Sequence, residues 1–181
     1  MAECLEDLAI MAAAEYDAVV DVPIEGVKLG LRWSSATSEY NEGSGAITTM
    51  DFLPDSVADI EAKDLQLVTA IEILHGYFLN GQSPASLSVV LKGTDFQRRV
   101  WQAIQQIPAG AVATYGEIAK HLGSAPRAVG GACRRNPVPI IIPCHRVVAS
   151  NGMGGFAGAV MGKHIAIKQW LLEHERKVIS H

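Results

Sequence analysis

Apolar positions recur along the chain with two periods, and the period changes near residue 60. Val27, Leu29, Leu31 and Trp33 alternate with Lys28, Gly30 and Arg32, which predicts a half-buried strand. Residues 18–22 before it and 46–53 after it read as two more strands, with Glu25-Gly26 as a turn and Pro54 closing the third. Over residues 61–78 the spacing lengthens. Leu65, Val68, Ile71, Leu74 and Phe78 fall at helical intervals, and Asn80-Gly81 supplies the stop. The polar stretch Gln82-Ser83-Pro84-Ala85-Ser86 follows as a linker. An α/β domain is therefore expected over residues 1–86, linker included, and a second domain over 87–181.

That second domain is dense in helix signals. Thr94-Asp95-Phe96-Gln97 is a capping box, in which hydroxyl and amide side chains satisfy each other's end of the first turn. Phe96, Val100, Ala103, Ile104 and Ile107 then share one face until Pro108 and Gly110. A short helix over 117–122 ends at Gly123. Pro126 sits where a first helical residue tolerates it, and a helix over 127–134 stops before Asn136-Pro137. Two short helices joined by a tight turn, with Arg127 and Arg134 on the second, outline a helix-turn-helix. Gly130 and Gly131 each cost that helix about 1 kcal/mol relative to alanine. Such small residues bring a backbone close to another helix or to a nucleic-acid groove.

The composition excludes several classes. With 181 residues, 49% of them hydrophobic and only 19% charged, the chain is neither disordered nor low in complexity. No run nears the roughly 18 apolar residues of a membrane span. The acidic start Met1-Ala2-Glu3-Cys4-Leu5-Glu6-Asp7 is unlike a secretory signal, so a cytoplasmic protein without a membrane partner is expected. Three cysteines without CxxC spacing indicate neither a disulfide framework nor a zinc site. The net charge of −4 conceals an asymmetry: residues 1–91 hold 3 Lys+Arg against 15 Asp+Glu, and residues 92–181 hold 12 against 4. A net of +8 in the second half points to a polyanion, or to attraction between the halves.

The chemistry concentrates in residues 138–148. An apolar run, expected to be extended ahead of Pro143, delivers Cys144 beside His145 and Arg146. Two adjacent cations should depress the thiol's pKa, and the thiolate is the nucleophile. Cys4 and Cys133 lack such neighbours and read as buried core thiols.

Ile142-Pro143-Cys144-His145-Arg146-Val147-Val148 resembles the active-site motif of the O6-alkylguanine-DNA alkyltransferases. The resemblance runs from Gly93 to Glu175. It takes in Gly93-Thr94-x-Phe96-Gln97, Ile107-Pro108-x-Gly110, Tyr115-Gly116-x-Ile118-Ala119, Arg127-Ala128-Val129-Gly130, Asn136-Pro137-x-Pro139-Ile140 and Trp170-Leu171-Leu172-x-His174-Glu175. It implies a ribonuclease-H-like N-terminal domain, a small sheet plus helix, before a mostly α domain of winged-helix-like, helix-turn-helix type. The implied function is DNA repair by irreversible, single-turnover transfer of an alkyl group from guanine O6, and also thymine O4, to the protein's own cysteine. The target base is flipped out of the duplex.

The same resemblance assigns roles. Cys144 is the acceptor, His145 activates it through a water, Glu175 orients His145, and Asn136 braces this network. Tyr115 contacts guanine N3. Arg127 fills the gap left by the flipped base; Ala128, Gly130 and Gly131 approach the minor groove, and Arg134 and Thr94 join the DNA-binding set. The carbonyls of Cys144 and Val147 would accept from the guanine amine, while Ser150, Phe156, Ala157 and Gly158 line the pocket. No cofactor, metal or obligate protein partner is implied; the partner is double-stranded DNA bearing O6-alkylguanine, with the protein nucleoid-associated when bound.

The chain departs from the usual pattern in three places. Phe156 stands where a tyrosine is common, the segment between Gly158 and Lys168 is longer, and the turn Ser124-Ala125-Pro126 is shorter. A non-enzymatic lesion binder of the alkyltransferase-like kind would lack Cys144. A helix-turn-helix regulator would have no use for a reactive thiol, and a cysteine hydrolase would turn over repeatedly.

Overall fold

The computed structural model describes residues 15–35 and 45–179; Cys4 lies outside them. The chain is α/β, with small sheets and five α-helices among the described residues, and clusters into two compact units. One comprises Met1–Gln82 with Ser86–Val90, the other Ser83–Ala85 with Leu91–His181.

In the first unit, β1 (Ala18–Asp21), β2 (Val27–Ser34) and β3 (Ala46–Pro54) form an antiparallel sheet in sequence order. The predicted alternation holds: Val27, Leu29 and Leu31 are buried, and Leu31 pairs with both Ala18 and Met50. The linker is more structured than its composition suggests. Pro84–Ser86 is a 3-10 turn, and Ile47 then donates to the Ser88 carbonyl while Val90 donates to Ile47, at 3.0 Å each.

Helix α1 (Leu65–Asn80) starts four residues later than predicted, because Asp64 caps it by accepting from the Gln66 and Leu67 amides. Gly81, at φ 71°, closes it in the left-handed conformation. The buried face also differs from the expected one. Leu67, Ala70, Ile71, Leu74, Tyr77 and Phe78 are buried, whereas Leu65 and Val68, expected inside, are exposed.

The second unit opens with α2 (Asp95–Gln105), whose capping box is present: Thr94 accepts from the Gln97 amide, and Gln97 Oε1 accepts from the Thr94 amide at 2.8 Å. Trp101 joins Val100 and Ile104 in its buried face and donates from Nε1 to the Ala132 carbonyl at 3.0 Å. A second capping box, Thr114 with Glu117, starts α3 (Tyr115–His121) two residues before the predicted position. Helix α4 (Pro126–Arg134) begins at the proline. The short strands β4 (Ala113–Thr114) and β5 (Val147–Val148) pair in parallel, which sets Tyr115 beside the segment carrying Cys144.

The last helix, α5 (Lys163–Ile179), corrects an expectation. Ile167, Trp170, Leu171 and His174 are spaced i, i+3, i+4, i+7, which predicts them as the core face with Glu175 one residue round from its edge. The buried residues are Ile167, Lys168, Leu171, Leu172 and Glu175, so the core face is rotated by one residue. Trp170 and His174 instead stack on each other with ring centroids 4.9 Å apart.

Candidate active site

The segment before Cys144 is not the extended run that its apolar composition predicted. Ile140 adopts φ 75°, and Ile142 donates back to the Val138 carbonyl at 3.0 Å. A left-handed β-branched residue is strained and persists only where its surroundings hold it. Asn136 does so. Its Oδ1 accepts from the Val138 amide at 3.1 Å, and its Nδ2 donates to the Ile142 carbonyl at 2.8 Å and to Cys144 Sγ at 3.1 Å. One amide side chain thus shapes the turn and touches the sulfur.

Cys144–Arg146 form a 3-10 turn. With three residues per turn, successive side chains diverge by about 120°. His145 and Arg146 both meet Glu175. His145 Nε2 lies 2.8 Å from Glu175 Oε1; Arg146 Nε and Nη2 donate to the same carboxylate at 2.7–3.2 Å, and the Gly110 amide donates at 3.0 Å. Arg146 Nη1 donates onward to the Ile107 carbonyl at 2.6 Å. Burial alone would raise the Glu175 pKa, but the bonds from His145, Arg146 and Gly110 hold it well below the carboxylate range. It is a carboxylate at all ordinary pH.

The expected low thiol pKa is therefore a correction. Burial pushes Cys144 up; the Asn136 amide and the Lys168 charge oppose that without reversing it. Burial likewise lowers His145, against the pull of Glu175, so the imidazole is neutral near pH 7. Its Nδ1 is buried without a hydrogen-bond partner among the described residues. A neutral thiol stands near a neutral imidazole that is held by a permanent carboxylate.

Lys168 was not anticipated. Fully buried, its ammonium donates to the carbonyls of Val147, Met153 and Gly155 at 2.6, 2.7 and 3.1 Å, and burial lowers its pKa to about 8. A signal existed: Lys168, Leu171, Leu172 and Glu175 are spaced i, i+3, i+4, i+7. The Val147 carbonyl, expected to receive a ligand amine, already accepts from this lysine. Tyr115 donates its hydroxyl to the same Gly155 carbonyl at 3.1 Å, and burial raises its pKa to about 12. Gly154 (φ 68°) leaves room for that ring, because a Cβ there would stand 2.9 Å from it.

These groups surround a cavity of about 400 Å³ lined by Tyr115, Arg127, Gly130, Cys133, Cys144 and Phe156, among others. Ala157, Gly158 and Arg134 also line it, as expected for the first two. Val147 and Ser150 do not: the Val147 side chain faces the core and Ser150 is exposed on the surface. Thr94 is committed to capping α2, and Ala128 and Gly131 lie outside the lining, with Ala128 exposed. The glycines of α4 are not demanded by packing within the chain. A Cβ at Gly130 would meet only the Tyr115 ring at 3.9 Å, and one at Gly131 only Arg135 at 3.8 Å. Among the described residues no cluster of three or more His, Cys, Asp or Glu side chains is placed to hold a metal ion, and no helix is long and apolar enough to cross a membrane.

The site thus combines a buried cysteine in a pocket, an imidazole bonded to a carboxylate, and a helix carrying Arg127 and Arg134 at the pocket rim. Residues 95–177 match the family described as 6-O-methylguanine DNA methyltransferase, DNA binding domain. The methylated-DNA–protein-cysteine methyltransferase of Salmonella typhimurium is 41% identical over 126 residues, covering 68% of this chain and 61% of that protein. The constitutive enzyme of that name from Bacillus subtilis is 41% identical over 126 residues, covering 67% and 74%. The crystal structure of a Mycobacterium tuberculosis protein in complex with DNA superposes with a TM-score of 0.66 at 34% identity, over 88% of this chain and 92% of that one. The chain belongs to the methylated-DNA–protein-cysteine methyltransferase family.

Proposed function

We propose that this protein repairs double-stranded DNA by transferring the alkyl group of O6-alkylguanine, and of O4-alkylthymine, to Cys144, once per molecule and without a cofactor. The observation that carries the reading is Cys144 itself: it lines the pocket on the Asn136-braced turn, with the His145–Glu175–Arg146 chain behind it. Neutral His145 can take the thiol's proton, and its Nδ1 is the nitrogen that Glu175 leaves available for a bridging water. The thiolate then attacks the alkyl carbon, the C–O6 bond breaks, and its electron pair stays on the purine. Tyr115, protonated at neutral pH, donates to the departing base. The thioether product has no leaving group, so the protein is consumed.

An alkyl carbon on O6 is out of reach inside a duplex, so the base must be extruded. We read α3, its turn and α4 as a helix-turn-helix in a winged-helix-like domain, and the first unit as ribonuclease-H-like. Exposed Arg127 at the pocket rim is placed to enter the stack, and Gly130 and Gly131 let α4 approach a groove. Action on the nucleoid in the cytoplasm follows from this reading.

Incubation with a duplex containing O6-methylguanine, followed by peptide mapping, tests it. One methyl per chain is expected, on Cys144 and on neither other cysteine; label on Cys133 or turnover past one equivalent would sink the proposal. Arg127→Ala should lower transfer from duplex at least about 10-fold, the scale of one lost charged contact, yet spare reaction with free O6-benzylguanine. Equal losses on both substrates would mean that Arg127 serves chemistry or fold.

A further inference from the structure

The chain contains two Asn-Gly pairs, Asn80-Gly81 and Asn151-Gly152. In such a pair the glycine carries no side chain to hinder its nitrogen from reaching the neighbouring asparagine carboxamide. Both asparagines are exposed, so exposure does not separate them. The backbone does. Asn80 is the last residue of α1; its Oδ1 accepts from the Gln82 amide at 3.0 Å, and the Gly81 amide donates to the Tyr77 carbonyl at 3.0 Å. Attack there requires the last turn of the helix to unwind. Asn151 lies in a two-residue turn, Ser150-Asn151, closed by Ala149 and Gly152. The Gly152 amide reaches the Ala149 carbonyl only at 3.5 Å, beyond the usual range of about 2.7–3.2 Å for such a bond. The space around Gly152 is open: a Cβ there would meet no heavy atom within 4 Å outside its chain neighbours.

We propose that Asn151 is a self-modification site, at which the Gly152 backbone nitrogen displaces the side-chain amide. This goes beyond the alkyl-transfer reading and does not depend on it. The nitrogen attacks Asn151 Cγ, the Cγ–Nδ2 bond breaks, and the amide leaves as ammonia with the proton given up by the Gly152 nitrogen. Water then opens the succinimide ring at either carbonyl, to aspartate or isoaspartate. The net change is uptake of one water and loss of one ammonia. Either product puts a carboxylate on the turn. Isoaspartate also routes the chain through the former side chain, adding one carbon to a backbone that the Ala149 amide ties to the Gly152 carbonyl at 3.1 Å. Met153 follows directly, and its carbonyl accepts from Lys168 at 2.7 Å. Lengthening the turn therefore disturbs one support of the buried charge that acts on Cys144.

The test is prolonged incubation of the whole protein at mildly alkaline pH, followed by peptide mapping with fragmentation that tells isoaspartate from aspartate. A gain of one dalton is expected on the peptide containing Asn151, with isoaspartate among the products. Its rate should exceed that of the Asn80 peptide at least about 10-fold, the scale of releasing two hydrogen bonds. Gly152→Ala, which the open space around residue 152 accommodates, should lose the conversion. Equal rates at the two sites, aspartate without isoaspartate, or unchanged conversion in Gly152→Ala overturns the proposal. Aged wild type, equally aged Gly152→Ala and fresh Asn151→Asp then separate backbone from charge and from other wear. The pH profile of Cys144 alkylation by iodoacetamide should move to higher pH in aged wild type, and far less in the two variants. An equal shift in all three, or none in aged wild type, defeats the link to Lys168.

Discussion

Glu175→Gln is expected to destabilise the protein by about 3–5 kcal/mol, the usual cost of removing one partner from a buried ion pair. Glu175 is 1% exposed and holds three groups that are far apart in sequence: the His145 imidazole, the Arg146 guanidinium and the Gly110 amide. An amide cannot neutralise Arg146, and it turns N–H donors toward N–H donors. Chemical denaturation of both proteins at pH 7 measures the loss. The pH dependence has a definite sign. The folded-state pKa of Glu175 lies below its unfolded value of about 4.3, so its stabilisation is full above that pH and fades as pH falls below it. The stability gap between wild type and Glu175→Gln should accordingly shrink under acid. Alkyl transfer should slow as well, because His145 loses the carboxylate that favours its protonated form. A folded variant with wild-type stability and rate would show that the carboxylate serves neither role.

The second large effect is expected at Lys168. Lys168→Met strips a charged donor from the carbonyls of Val147, Met153 and Gly155. The Gly155 carbonyl keeps the Tyr115 hydroxyl, and unsatisfied buried acceptors cost about 1–3 kcal/mol each, so a loss of at least about 2 kcal/mol is expected in denaturation. The variant separates scaffold from electrostatics. Arg146 is committed to Glu175, which leaves the Lys168 charge to lower the Cys144 pKa. The pH profile of Cys144 alkylation by iodoacetamide should therefore move to higher pH; an unmoved profile in a destabilised variant would leave Lys168 a purely structural part. Its own pKa, about 8 in the folded protein against about 10.4 unfolded, adds a second check. Wild-type stability should rise relative to Lys168→Met as pH increases between those values, because there the unfolded chain binds more protons.

Local features were legible in the sequence wherever their causes are local. The alternation of Val27, Leu29 and Leu31 predicted a strand because a pleated chain has period two. Thr94 and Gln97 predicted a helix start because both partners of the capping box lie within one turn. Cys144, His145 and Asn136 stand out in the sequence because they lie within one short stretch, 136–145. Even so, the missed starts of α1 and α3 show that the cap, Asp64 or Thr114, sets where a helix begins, later than predicted in one and earlier in the other.

Tertiary structure decided the rest. Sequence adjacency suggested that Arg146 acts on Cys144, but its guanidinium is bonded to Glu175 and to the Ile107 carbonyl, and His145 reaches the same carboxylate. That carboxylate is 29 or more residues from both, and a further bond to it comes from the Gly110 amide, 65 residues away. Lys168 by its residue type gives no sign of its place, because a lysine inside a helix is ordinarily solvated; three carbonyls converging on its ammonium make its burial possible. Cys133 looked like a core thiol, and only the packing of α4 against the turn carrying Cys144 puts it in the pocket. The sequence by itself determined which residues could react and which segments form helices and strands. Which of those residues meet, and which charge reaches the sulfur, depends on contacts between segments far apart in the chain, and hydrophobic period and motif spacing carry no record of those.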